Sequence, residues 1–216
     1  MLLPQKQIGS RTYLIGLLMF IIVSTLLLIS MGKADSFLYL NQWHNPSFDA
    51  FFDKYTFLGD GLFAVILSII LFFFLKTQRL SLEILSSFIV SGLLAQLLKH
   101  IFKHPRPKAF FTEGQYNHFI EGVSINNYVS FPSGHTTTAF ALTFILSTYT
   151  KNPLLQLIFL LLAILAGYSR IYLAQHFLED VLAGAILGSI ISALTLYVSS
   201  KVGPKKHISF VKKSKT

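Results

Sequence analysis

Six apolar runs, each at or near the length of a bilayer-crossing helix, take up most of this 216-residue chain. A span needs about 20 mainly apolar residues, and the runs fall at 13–31, 57–75, 80–98, 136–149, 154–173 and 177–199. Backbone amides inside a bilayer find no water, so such runs are stable only as helices packed on one another. Charged residues make up 12% of the chain, against about 25% in soluble domains, which excludes an ordinary soluble enzyme and a disordered chain. The chain has no cysteine, so disulfide frameworks, thiolate zinc sites and cysteine nucleophiles are excluded as well. A net charge of +9 comes without a helix-turn-helix, zinc-finger or RNA-recognition pattern, so nucleic acid is not expected as a partner. The expected fold is all-α: a polytopic membrane protein, a six-transmembrane-helix bundle with a short interfacial helix, forming one domain over 1–216. Connections as short as 76–79 and 151–153 make neighbouring helices antiparallel. The fourth run is short and opens on Thr136, Thr137 and Thr138, so its outer end is expected to line something polar.

Lys6 and Arg11 before the first run, with Gly32 and Ala34 after it, resemble a signal peptide. The run exceeds the usual apolar core of about 7–15 residues, which favours a retained span. Sorting the 18 Lys and Arg by six crossings puts eleven on the side of both termini and seven on the other. Of the nine acidic residues only Glu83 falls on the terminal side. The excess of cations marks the cytoplasm, so both termini are expected there. The basic tail over 200–216 would then meet anionic headgroups. Between the first two runs, Asn45 can cap a short helix, Pro46 suits its first position, and Phe48, Phe51, Phe52 and Tyr55 share one face. That face suits either the membrane surface or a packed lid, with Tyr39 and Trp43 at the same depth.

Polar residues gather where the last four runs meet the outer side. Lys99 is followed after six residues by Arg106-Pro107; Pro132-Ser133-Gly134-His135 opens the fourth run; Ser169-Arg170, His176 and Asp180 bridge the fifth and sixth. Ionisable groups at membrane spans are candidates for function. Lys99, Arg106 and Arg170 are three cations without a matching cluster of anions, and they suit an anionic ligand such as phosphate. Ser133 and Gly134 stand where a helix begins, so their amides can receive phosphate oxygens. His176 and Asp180 are four residues apart, a spacing that lets the carboxylate hold one ring nitrogen and leave the other as a nucleophile. His135 would face the phosphate from across the site as a proton donor.

These three segments resemble the tripartite signature of the type 2 phosphatidic acid phosphatases, K-x6-RP, PSGH and SR-x5-H-x3-D, at all of its fixed positions. The resemblance covers about 57–199. It implies that His176 attacks phosphorus to form a phosphohistidine, that Asp180 holds the ring, and that His135 protonates the leaving oxygen and then activates water. It also implies that Lys99, Arg106, Ser133, Gly134 and Arg170 bind the phosphoryl oxygens. No metal or cofactor is implied, because fixed cations take that part. The expected substrate is a lipid phosphate or diphosphate: undecaprenyl diphosphate, phosphatidylglycerol phosphate, phosphatidic acid or a lipid A phosphate.

Two other readings use the same residues. A lipid phosphotransferase would pass the phosphoryl group from the same intermediate to another lipid. A non-catalytic phospholipid-binding or transport protein would keep the cations but has no need of His176, His135 and Asp180 together. His100 and His104 have helical metal-ligand spacing but no Glu of an H-E-x-x-H pattern between them. His44, His118 and His207 read as loop residues; Asp60 either shapes the site or starts a helix, and the preference of Asp for helix N-termini favours the second. Lipid selectivity is expected in the loops over 32–56 and 108–131.

Overall fold

The computed structural model describes residues 10–120 and 127–202. Among them there is no strand. Helix α1 (Arg11–Leu40) follows the first apolar run and then continues, because Gly32 adopts φ 74°, ψ −177° and turns the last eight residues off the span axis. Only glycine reaches that conformation cheaply. The break coincides with the expected end of the span. The piece beyond it lies over the start of the last helix, where Lys33 Nζ pairs with Glu179 at 2.6 Å and sits 4.3 Å from the Phe177 ring.

Helix α2 (Pro46–Tyr55) forms as expected, with the Asn45 side chain accepting from the Phe48 amide and Pro46 in the first turn. Its aromatic face splits. Phe52 is buried against Tyr168 and Tyr172, Tyr55 donates to the Leu162 carbonyl, and Phe48 and Phe51 stay exposed. A 3₁₀ turn (Thr56–Gly59) follows, then α3 (Gly61–Ile69), which continues through a wider π turn to Phe74. The second span therefore starts at Gly61 rather than at residue 57, and its axis departs by 58° from that of the preceding segment. Asp60 makes the corner as the N-cap of α3, its carboxylate accepting from the Leu62 amide.

The remaining elements are α4 (Gln78–Phe102), a single helical turn α5 (Pro107–Phe110), α6 (Gly134–Thr148), α7 (Pro153–Tyr172) and α8 (Leu178–Val202). By length and apolarity, four stretches of the described residues can cross a bilayer alone, and the bent α2–α3 pair makes a fifth. The six crossings expected from the sequence are not all reproduced on that measure. The reason is α6: its 15 residues span about 22 Å, less than the roughly 30 Å of a hydrocarbon core. It is instead the axis of the bundle, with twelve of its residues buried among α4, α7 and α8. A helix apolar all round is stable only when surrounded. Thr136 and Thr137 bond back onto Ser133 at the start of their own helix. Thr137 and Thr143 donate to carbonyls four residues back, and the Tyr13 hydroxyl from α1 lies 2.8 Å from Thr143 Oγ1. Thr138 borders the cavity that also holds His135.

Close approach of α6 and α8 rests on two glycines. A Cβ at Gly184 would fall 2.6 Å from the Ser133 carbonyl oxygen, and one at Gly188 would fall 2.3 Å from that of Thr137. Small residues four apart are how membrane helices bring backbones together. At the opposite end of the bundle, buried Glu83 accepts from Arg79 Nε, the Tyr149 hydroxyl and the Ser199 hydroxyl, joining α4, α6 and α8. Lys6, His207 and the basic tail beyond Val202 lie outside the described residues.

Candidate active site

Every sequence-predicted site residue lies at one end of the bundle, where α4, α6 and α7 reach the turn before α8. Ser133 caps α6, its hydroxyl accepting from the Thr136 amide at 3.4 Å and from the Thr136 hydroxyl at 2.8 Å. Gly134 is the first residue of that helix, and a Cβ there would meet nothing within 4 Å. The positive end of α6 is thus bare of side chains where an anion would approach. His135 follows in the same turn, its Nε2 3.7 Å from Asp60 Oδ2. Asp60 thereby starts α3, as expected, and also faces the site. The Gly59 turn makes that approach possible, since a Cβ at Gly59 would lie 2.7 Å from the His135 carbonyl oxygen.

His176 sits in the turn between α7 and α8, one residue outside the apolar run that the sequence marks as the last span, and is 2% exposed. Its backbone amide donates to the Arg170 carbonyl. Its Nδ1 is 3.4 Å from Asp180 Oδ2 and 3.3 Å from the Ser130 hydroxyl oxygen. The Ser130 hydroxyl donates to the same carboxylate oxygen at 2.5 Å, and the Phe177 amide donates to it at 2.9 Å. Asp180 in the first turn of α8 thus does two things. It closes a capping box on the amide of Phe177, and it presents an acceptor to the ring nitrogen of His176. With Nδ1–H held there, Nε2 keeps its lone pair. Burial, and then the nearby charges of Arg106, Lys99 and Arg170, hold the His176 pKa well below 6.5. The ring is neutral at neutral pH.

The cations converge on the same place. Lys99, in the last turn of α4, is 6% exposed and donates to the carbonyls of Val129 and Ser130 at 2.7 and 3.2 Å. That leaves one of its three protons free to point elsewhere. Arg106 precedes α5, and its amide donates to Asn127 while Ser130 donates to the His104 carbonyl, so the 127–130 strip is pinned beside both basic groups. Arg170, in the last turn of α7, is 4% exposed and donates through one terminal nitrogen to the Thr56 hydroxyl. The Nε atoms of Arg106 and Arg170 are buried without a hydrogen-bond partner. Buried guanidinium N–H groups rarely remain unpaired, and these two have the charge and fork geometry of an anion clamp.

Sequence reasoning missed Ser130 and Thr56, which touch Asp180 and Arg170. Neither belongs to a pattern, and no spacing rule links residue 56 to residue 170. His100 does not join the site: its Nδ1 faces the Gln96 carbonyl. His104 Nδ1 is 3.6 Å from Glu179, a carboxylate already taken by Lys33. His44 and His118, expected as separate loop residues, stack on each other with ring centroids 3.6 Å apart.

A cavity of ≈ 420 Å³ runs from His135 and Gly134 between α3 and α4, past Gly59, Gly61, Phe88 and Gly92. A larger one of ≈ 710 Å³ lies at the opposite end, around Arg79 and Glu83, away from every residue that carries chemistry.

Residues 80–204 match the family model of the PAP2 superfamily. The chain is 33% identical to a lipid A 1-phosphatase of Rhizobium etli over 171 residues, covering 68% of this chain and 70% of that protein. It is 30% identical to an undecaprenyl-diphosphatase of Sulfolobus acidocaldarius over 141 residues, covering 64% of each. It thus spans about two thirds of the length of these curated relatives. The crystal structure of Aquifex aeolicus LpxE superposes with a TM-score of 0.65 at 30% identity, over 76% of this chain and 94% of that one. The fold also matches a transmembrane PAP2 type phosphatidylglycerolphosphate phosphatase from Bacillus subtilis, with a TM-score of 0.66 at 24% identity, over 89% of this chain and 98% of that one. With its signature residues brought to one end of the bundle and more than half its length under the family model, the chain belongs to the PAP2 superfamily.

Proposed function

We propose that this membrane enzyme, a lipid phosphate hydrolase, works through a phosphohistidine formed on His176 Nε2. The observation that carries the reading is the neutral, buried His176 ring, held at Nδ1 by Asp180 and Ser130 and ringed by Lys99, Arg106 and Arg170. In the first step Nε2 attacks phosphorus and the bond to the lipid oxygen breaks. His135 donates its proton to that leaving oxygen. In the second step His135 takes a proton from water, the water oxygen attacks phosphorus, and the N–P bond breaks to release inorganic phosphate. Asp180 stabilises the positive charge on the phosphorylated ring. The three cations, the Ser133 and Gly134 amides and the α6 N-terminus stabilise the charge spread over the equatorial oxygens. Fixed side-chain charge supplies this stabilisation, so the scheme calls on no cofactor.

The lipid enters sideways, with its chain in the cavity between α3 and α4 and its phosphate at His135. Six crossings, α1, α3, α4, α6, α7 and α8, place both termini in the cytoplasm and the site at the outer face of a bacterial inner membrane, with α2 at the interface. The whole of 1–216 forms one domain around the signature region 57–199. The substrate is a lipid phosphomonoester or diphosphate, and lipid A 1-phosphate and undecaprenyl diphosphate come first for testing, because the curated relatives named above act on lipids of those names.

Phosphate release from a panel of purified lipid A phosphate, undecaprenyl diphosphate, phosphatidylglycerol phosphate and phosphatidic acid identifies the substrate. On the best of these, His176→Ala should lose more than about 1000-fold in turnover, and the acid-labile phosphoenzyme trapped with wild type should vanish. Substantial residual turnover in that variant would remove His176 as the nucleophile.

A further inference from the structure

Outside the active site, three side chains from separate stretches of chain converge on the mouth of the bundle: His44 between α1 and α2, Asp49 on α2, and His118 in the loop after α5. One ligand atom from each lies within 4.8 Å of the other two. The hydrogen bonds around them fix which atoms carry protons. The Asn41 amide nitrogen donates to the carbonyls of Ile171 and Tyr172, so its oxygen faces the other way. That oxygen is 2.5 Å from His44 Nε2 and 2.8 Å from the Tyr116 hydroxyl. An oxygen can only accept, so His44 carries its proton on Nε2.

The consequence falls on the other ring nitrogen. His44 Nδ1 is left with a bare lone pair, is buried, and has no hydrogen-bond partner. It faces Asp49 Oδ1 at 3.8 Å, an oxygen that already accepts from the Tyr172 hydroxyl at 2.5 Å. With the ring neutral, two acceptors face one another at a cost in free energy, and a cation between them, a second ring proton or a metal ion, relieves that cost. The His118 ring stacks against His44, tilted by 32°, and brings a third donor atom to the same point.

We infer that His44 Nδ1, a carboxylate oxygen of Asp49 and a ring nitrogen of His118 form a site for a divalent transition metal, with water completing the shell. Two imidazoles and one carboxylate suit a borderline ion such as Zn²⁺. Asn41 on the far nitrogen of His44 and Tyr172 on Asp49 are the supporting hydrogen bonds such ligands require. The site is separate from the phosphate clamp. Its effect is to tie the loop after α5 to the α1–α2 corner without entering the chemistry.

The test uses full-length protein in detergent, stripped with chelator and titrated with ZnCl₂, with binding followed by calorimetry and metal content. Wild type should bind one Zn²⁺ per chain, and Zn²⁺ should slow hydrogen exchange over 111–120. His44→Ala and the milder His118→Gln should each weaken binding by about tenfold or more. His100→Ala, on the exposed face of α4, should bind as wild type does. Phosphatase activity of each variant in chelator reports that it is folded. Absence of Zn²⁺ binding by wild type, or undiminished binding in both His44→Ala and His118→Gln, overturns the site.

Discussion

At the residue scale, Ser130 shows how much of the proposed nucleophile's setting lies in its neighbours. Its hydroxyl is 0% exposed, donates to Asp180 and lies beside His176 Nδ1. Removing it leaves the buried carboxylate with one donor fewer and the ring free to tilt. Ser130→Ala should lower kcat by about 10–100-fold with KM little changed, and Ser130→Thr should recover part of the loss; equal kcat for Ser130→Ala and wild type would reduce Ser130 to packing. The cations act on the same ring at longer range. Arg106 is the largest of the charges that, after burial, hold the His176 pKa below 6.5. With that direction, the neutral nucleophile persists as pH falls through 6.5, and loss by ring protonation begins only at more acid pH. Removing one positive charge favours the imidazolium and raises its pKa. Arg106→Gln should therefore move the acid limb of kcat/KM to higher pH, towards 6.5, when both proteins are assayed on one substrate. An acid limb at the same pH in both would mean that another group titrates there.

At the scale of elements, the site depends on how closely α8 lies on α6. The Ser133 amide donates to the Asp180 carbonyl at 2.9 Å, so the α6 cap and the first turn of α8 share a hydrogen bond. Further down, Gly184 and Gly188 let the two backbones touch. A methyl at Gly188 would collide with the Thr137 carbonyl oxygen at 2.3 Å, and backbone cannot move aside as a flexible side chain can. Gly188→Ala should destabilise the protein by about 1–3 kcal/mol, seen as a lower Tm in detergent. Activity should fall further than the folded fraction alone explains, because the displacement separates Ser133 from Asp180. A Tm equal to wild type would show that the interface yields. By contrast, Gly92 lines the α3–α4 cavity with open space around its Cβ position, so an alanine there narrows the cavity proposed for the lipid and leaves the packing unchanged.

On the scale of the whole molecule, the bundle is polarised. One end holds the cation clamp with His135, His176 and Asp180; the other holds Arg79, Glu83, Tyr149 and Ser199 in a network that closes the foot of α4, α6 and α8. Which end faces out decides which leaflet supplies substrate. The proposed orientation, with the clamp outside, rests on the excess of Lys and Arg on the side of the termini, eleven against seven, three of the seven belonging to the clamp itself. The absence of cysteine makes a labelling test direct. Gln115→Cys, exposed in the loop after α5, should react with a membrane-impermeant maleimide in intact spheroplasts. Lys151→Cys, exposed between α6 and α7, should react only after lysis. The reverse pattern would invert the topology and assign the enzyme to lipids of the cytoplasmic leaflet.

The sequence by itself determined the all-helical membrane bundle and the helix starts at Asn45 and Ser133, and it marked the ionisable groups that gather at one end of the bundle. Each of these depends on local chemistry: apolar run length, a capping side chain, or ionisable groups at span ends. The tertiary structure alone decided the rest. Apolarity is the same whether lipid or protein surrounds a helix, so composition could not reveal that α6 is a short buried axis rather than an ordinary crossing. Spacing along the chain could not bring Thr56 to Arg170, Asp60 to His135 or Ser130 to Asp180, because those pairs meet only when distant helix ends pack at one face. The same holds for His44 and His118, which lie 74 positions apart in sequence and stack only because α1, α2 and the loop after α5 close on one corner.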